Sequence, residues 1–137
     1  MPDPAGEFVI PSDLEAARRV QEVIEAVVKP AFAEHDAFAI KMAVEEALVN
    51  AIKHGNQMDP DKNVRVRYAL GPERFDVRIT DDGPGFNPDD VPDPTAPENL
   101  ERPCGRGLLL IRYYMSEVSF QDSGRTIAMF KRRDGTK

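Results

Sequence analysis

The sequence predicts an α+β fold: a two-layer sandwich in which a mostly antiparallel (mixed) sheet carries helices on one face. Three observations lead there. Alternating apolar residues in 64–70 and 75–81 flank the turn Gly71-Pro-Glu-Arg74, which reads as a β-hairpin. Val118 to Gln121 and Thr126 to Lys131 repeat the pattern around Asp122-Ser-Gly-Arg125. Two stretches of helical spacing precede the first hairpin, so helices and strands come in blocks and not in strict alternation.

Taken in order, Phe8-Val9-Ile10 reads as a short strand. Ser12-Asp-Leu-Glu15 then has the form of a capping box, with Ser12 as the cap. Leu14, Ala17, Val20 or Gln21, Ile24 and Val27-Val28 keep helical spacing until Pro30 stops the run. Asp36 is a second start signal, and Gly55 reads as the left-handed C-terminal cap of the helix it opens. Arginines at 65 and 67, between the apolar residues of the next strand, predict that one sheet face is wet. Five of the 12 prolines lie in residues 86–104, which predicts a long functional loop. Leu108 to Met115 reads as a short buried helix behind Gly105-Arg-Gly107.

With 137 residues the chain suits a single domain, and the lone Cys104 allows neither an internal disulfide nor a cysteine-based zinc site. No apolar run approaches the ~20 residues of a membrane span. Met1-Pro-Asp-Pro-Ala-Gly-Glu7 lacks the basic and apolar segments of a secretory signal, so a cytoplasmic location is expected, away from membranes. The net charge of −6 argues against duplex nucleic acid as the main ligand.

Chemistry concentrates in three places. Phe75, Val77, Ile79 and Asp81 share one parity, so Asp81 points to the face its three apolar neighbours give to the core. Gly83-Pro-Gly85 follows and lets other groups approach the backbone. A carboxylate there is costly to bury alone and becomes reasonable beside a ligand that donates a hydrogen bond; an Asp that merely caps the turn is the other reading. On the second helix, Ile40, Val44, Leu48 and Ala51 cluster on one side, while Glu46, Asn50 and Lys53 lie nearly opposite and His54 on the border. Successive i, i+4 positions are only ~40° apart around a helix, so this polar stripe is narrow. A carboxylate and a carboxamide one turn apart suit a general base beside magnesium, which keeps waters and substrate phosphates in its shell. Gly105 and Gly107, expected at a helix start, would offer free amides to an anion, flanked by Arg102 and Arg106.

Together, Glu46-x-x-x-Asn50-Ala-x-Lys53-His54-Gly55, Asp81-x-Gly83-x-Gly85 and Gly105-x-Gly107 resemble the N, G1 and G2 boxes of the GHKL ATP-binding superfamily. Within it the chain most resembles the anti-sigma factor serine kinases, the switch-protein kinases of bacterial partner-switching modules. The resemblance implies a Bergerat-type ATP-binding domain over residues 1–137, with an ATP lid at about 86–104. It implies that Asp81 receives the adenine amino group, assisted by Thr126, that Asn50 holds Mg²⁺ and that Glu46 is the base. Lys53 and His54 match the end of the N box, near phosphate. The family's phosphate-contacting arginine matches Arg102 if Pro103-Cys104 contains an insertion; Arg106 is its competitor.

The partners so implied are a STAS-type anti-anti-sigma protein, phosphorylated on serine, and a sequestered sigma factor, with homodimers common. Histidine kinases need an upstream phosphoacceptor helix pair, which this sequence lacks. Two other readings remain open: a regulatory module that binds ATP or ADP without kinase activity, and a detached histidine-kinase-type catalytic domain.

Overall fold

The computed structural model describes residues 3–84 and 103–133, with the backbone alone for 103–108. The elements are β1 (Ala5–Pro11), α1 (Leu14–Val28), α2 (Glu34–Val49), a π-helical turn (Asn50–Gly55), β2 (Asn63–Leu70), β3 (Arg74–Asp81), α3 (Pro103–Tyr114), β4 (Glu117–Gln121) and β5 (Thr126–Arg132). The strands form one sheet in the order β1-β2-β3-β5-β4, and all four ladders are antiparallel.

Strand periodicity decides which sheet face is covered. Val64, Val66, Tyr68, Phe75, Val77, Ile79, Ile127 and Met129 are buried, and they meet Ile24, Ile40, Leu48, Ile52 and Ile111 of the helical layer in one core. Arg65, Arg67 and Arg78 stand exposed on the alternate positions. β1 is longer than Phe8-Val9-Ile10, because all seven of its residues find partners on β2, from Ala5 opposite Ala69 to Pro11 opposite Asn63.

The ends of the helices differ from expectation. Asp13, not Ser12, caps α1, its carboxylate accepting from the Glu15 and Ala16 amides at 3.3 Å each. Ser12 turns inward and donates to the Lys62 carbonyl at 2.8 Å. α2 starts at Glu34 without a side-chain cap. Asp36 lies inside its first turn, where the helix dipole favours a carboxylate, and its Oδ1 is 3.7 Å from Lys131 Nζ. Gly55 closes the π turn without positive φ; the left-handed residues come later, at Gln57 and Met58. α3 starts at Pro103, a residue well suited to a first helical position, so Pro103 and Cys104 are helical instead of part of a loop, and Gly105 and Gly107 lie within the helix. The remainder of the expected lid, 86–102, lies outside the described residues. The last hairpin turns through consecutive left-handed residues Asp122, Ser123 and Gly124, the last with φ 84°.

Candidate functional site

Asp81 ends β3 on the core-facing side. Phe75, Val77 and Ile79, on the same face, are no more than 1% exposed, while Asp81 is half-buried. Its Oδ1 accepts the Gly83 N–H at 2.8 Å. Gly55 packs directly on the carboxylate, and a Cβ at residue 55 would overlap it. A Cβ at Gly83 would likewise overlap the Gly55 carbonyl. Both glycines are therefore required by close approach: Gly55, Gly83 and the Asp81 carboxylate pack directly on one another. Burial raises the Asp81 pKa above the ordinary carboxylate value, and the Asp82 charge adds to the rise; the Gly83 N–H, Arg125 and Lys62 oppose it. The result is a partly desolvated carboxylate with one oxygen engaged.

The turn after Asp81 is tied on two sides. On one, Asn56 is fully buried and accepts the Asp82 N–H at 2.8 Å. Its amide nitrogen donates to Ser12 Oγ and to the Asn63 carbonyl, both at 3.0 Å. The Asn63 N–H in turn donates to Asp82 Oδ2 at 2.8 Å. On the other side, Arg125 Nε donates to the Gly83 carbonyl at 2.7 Å, and the Asp81 N–H donates to the Arg125 carbonyl at 3.0 Å. Sequence reasoning missed both Asn56 and Arg125. Asn56 follows Gly55 and reads as loop polarity, and its partners are 7 to 44 residues away in the chain.

The polar stripe occupies the end of α2. Glu46 and Asn50 are half-buried, whereas Lys53 and His54 are exposed. The α-helix becomes π-helical at Asn50, whose own N–H is shared between the Ala47 and Glu46 carbonyls. The wider turn closes with the Asn56 N–H on the Ala51 carbonyl at 2.8 Å. π turns of this kind recur at functional sites. Here the turn carries the chain from Asn50 to Gly55, so that the stripe and the Asp81 turn meet at Gly55. Among the described residues no cluster of three or more His, Cys, Asp or Glu side chains could cage a metal ion.

Other expected residues are distributed differently. The structure does not bring Thr126 to Asp81. Thr126 is opposite Thr80 in the β3–β5 ladder, and their hydroxyls are 2.8 Å apart on the sheet face away from the helices. One step of strand parity separates the two faces, and Arg125 takes the position on the Asp81 side. Gly85 and Arg102 lie outside the described residues. Gly105, Arg106 and Gly107 are described only as backbone within the first turns of α3.

This arrangement agrees with comparisons to known proteins. The family described as histidine kinase-like ATPase domain matches residues 10–131. The serine-protein kinase RsbW of Bacillus licheniformis is 32% identical over 110 residues, covering 75% of this chain and 69% of that protein. Its counterpart in Bacillus velezensis is 29% identical over 139 residues, covering 96% and 87%. A crystal structure of the RsbU and RsbW domains of a Mycobacterium tuberculosis protein superposes with a TM-score of 0.65. It covers 96% of this chain and 32% of that one at 18% identity, a likeness of fold. The chain belongs to the histidine kinase-like ATPase family and, within it, to the RsbW-type serine-protein kinases.

Proposed function

We propose that this protein is a Mg²⁺- and ATP-dependent protein serine kinase of a partner-switching module, working as a single domain. The observation that carries the reading is the contact of Gly55 with the Asp81 carboxylate. It joins the Glu46–Asn50 stripe to a partly desolvated acceptor, an approach so close that no side chain fits at residue 55 or 83. A partly desolvated carboxylate of this kind suits a base that offers an amino donor. A cation here suits Asn50 together with phosphate oxygens and water, as magnesium prefers, since the described residues offer no carboxylate cage.

In this reading Asp81 accepts the adenine amino group, and Gly83 and Gly85 let the base approach the backbone. Asn50 ligates Mg²⁺, while Lys53, His54, the first turns of α3 at Gly105 and Gly107, and Arg102 or Arg106 face the phosphates. Bound Mg·ATP supplies the phosphoryl group that is transferred. Glu46 takes the proton of the attacking serine hydroxyl on an anti-anti-sigma partner, and a sigma factor is the second partner; the protein works in the cytoplasm. The lid of this reading is the stretch 86–102, ahead of α3.

Glu46 and Asn50 separate chemistry from binding. Glu46→Gln keeps size and hydrogen bonding but cannot accept the proton. The expected result is a loss of phosphotransfer of ~10²–10⁴-fold with ATP affinity nearly kept. Asn50→Ala removes a metal ligand, so Mg·ATP affinity drops and added Mg²⁺ partly restores it. Nucleotide titration and single-turnover transfer to the partner's serine test both variants. A Glu46→Gln protein that transfers phosphate at the wild-type rate removes Glu46 as base, and a wild type that binds ATP without transfer leaves a binding module.

A further inference from the structure

We propose that Arg125 is the positioning residue that β5 contributes to the nucleotide-base site, in the place the family resemblance assigns to a threonine. The proposal rests on the nucleotide reading of the Asp81 site and goes beyond it by naming what aims the carboxylate. Arg125 immediately precedes β5 and extends the β3–β5 ladder by one step through the Asp81 N–H. It shares strand parity with Ile127, which is buried against the helical layer, so its side chain leaves the sheet on the Asp81 side.

The contacts form a closed relay. Arg125 Nε holds the Gly83 carbonyl at 2.7 Å, and the Gly83 N–H holds Asp81 Oδ1 at 2.8 Å. These groups belong to the two peptide units on either side of the Gly83 Cα, where no side chain limits rotation. Asn56 anchors the Asp82 N–H on one side of this glycine, and Arg125 supplies the anchor on the other, so losing Arg125 loosens the hold of the Gly83 N–H on the carboxylate. The Arg125 side chain is 37% exposed, with Nη1 3.8 Å from Asp122 Oδ1. It therefore reaches solvent and is not locked in the core.

Arg125 also acts through its charge. Among the described residues the groups acting on the Asp81 carboxylate are the Gly83 N–H, Asp82, Lys62 and Arg125, and Gly55 approaches it from the π turn. Arg125 and Lys62 are the cations among them, and both favour the ionised carboxylate. Thr126 has no such route, being bonded to Thr80 on the other face.

The test is calorimetric titration of the full chain with ADP over the acidic to neutral pH range. Arg125→Ala is expected to bind ADP about tenfold more weakly or worse, and the acid limb of its binding curve is expected to move to higher pH. Arg125→Lys, which keeps the charge without the planar fork, should return the limb toward wild type while affinity stays reduced. Arg125→Gln, which keeps a donor without the charge, should retain more affinity with the limb shifted. Arg78→Ala, on the opposite sheet face, removes the same charge and should leave both quantities unchanged. A folded Arg125→Ala protein with wild-type affinity overturns the proposal. So does a loss equal at every pH with the limb unmoved, which is what a purely structural turn clamp produces. Should the alanine variant not fold, the lysine and glutamine pair decides in the same way, and identical acid limbs for the two overturn it. A wild type that does not bind ADP at any pH sinks the nucleotide reading itself.

Discussion

Asp81 places stability and binding in opposition. Its pKa is raised in the folded protein, mainly by burial. The favourable contribution of such a group to folding is fully present below its unfolded pKa and is lost as pH rises through the folded value. At neutral pH the ionised carboxylate therefore destabilises the nucleotide-free fold. Asp81→Asn removes that charge and keeps an oxygen for the Gly83 N–H. The variant is expected to melt at or above the wild-type temperature at neutral pH. It should lose about 2 kcal/mol of binding for ATP and ADP alike, as expected for a hydrogen bond to a charged group. Thermal melts and calorimetry on the same preparation check both halves, and unchanged ADP affinity in a folded variant removes Asp81 from the adenine site.

At the scale of elements, Ser12 and Asp13 show how neighbouring residues of similar chemistry divide their work. Asp13 supplies acceptors to the first turn of α1, an exposed and local arrangement. Ser12 belongs to the buried group that links β1, Asn56 and Lys62. Asp13→Ala should cost about 1 kcal/mol, as loss of an N-cap does, with nucleotide affinity unchanged. Ser12→Ala leaves the Asn56 amide short of one partner, and a buried donor so stranded costs about 1–3 kcal/mol. Because Asn56 also holds the Asp82 N–H, Ser12→Ala is expected to weaken ADP binding as well. Denaturant unfolding with and without ADP distinguishes the pair, and equal effects of ADP on both variants would contradict this division.

For the molecule as a whole, the sheet–helix sandwich supplies the rigid part of the site. Ile40, Val44, Leu48 and Ile52 anchor α2 and its π turn to the core, while Phe75, Val77 and Ile79 anchor β3. The Glu46–Asn50 stripe and Asp81 thus belong to opposite layers, and a ligand spanning them binds only the folded state. ADP at 100 times its dissociation constant should stabilise the fold by about 2.7 kcal/mol and raise the melting temperature accordingly. The rise should be largely absent in Asp81→Asn. A ligand-independent melting temperature in the wild type would contradict a nucleotide site between the two layers.

What the sequence determined by itself is the part governed by period and local order. Alternation assigned the strands and the inward parity of Asp81, helical spacing assigned α1 and the Glu46–Asn50 stripe, and turn residues separated the hairpins. The tertiary structure alone decided which neighbour of a pair serves the site. Asp13 and Ser12 are both good caps, and only the distant carbonyl of Lys62 selects Ser12 for the interior. Thr126 and Arg125 are adjacent, and only the register of β5 against β3 turns one toward Asp81 and the other away. Gly55 resembles an ordinary helix stop in the sequence, yet its reason is a carboxylate 26 residues further along the chain. Local propensity is set by a few neighbouring residues, whereas a close approach is set by whatever the packed layers bring opposite. That information becomes available only when the layers meet.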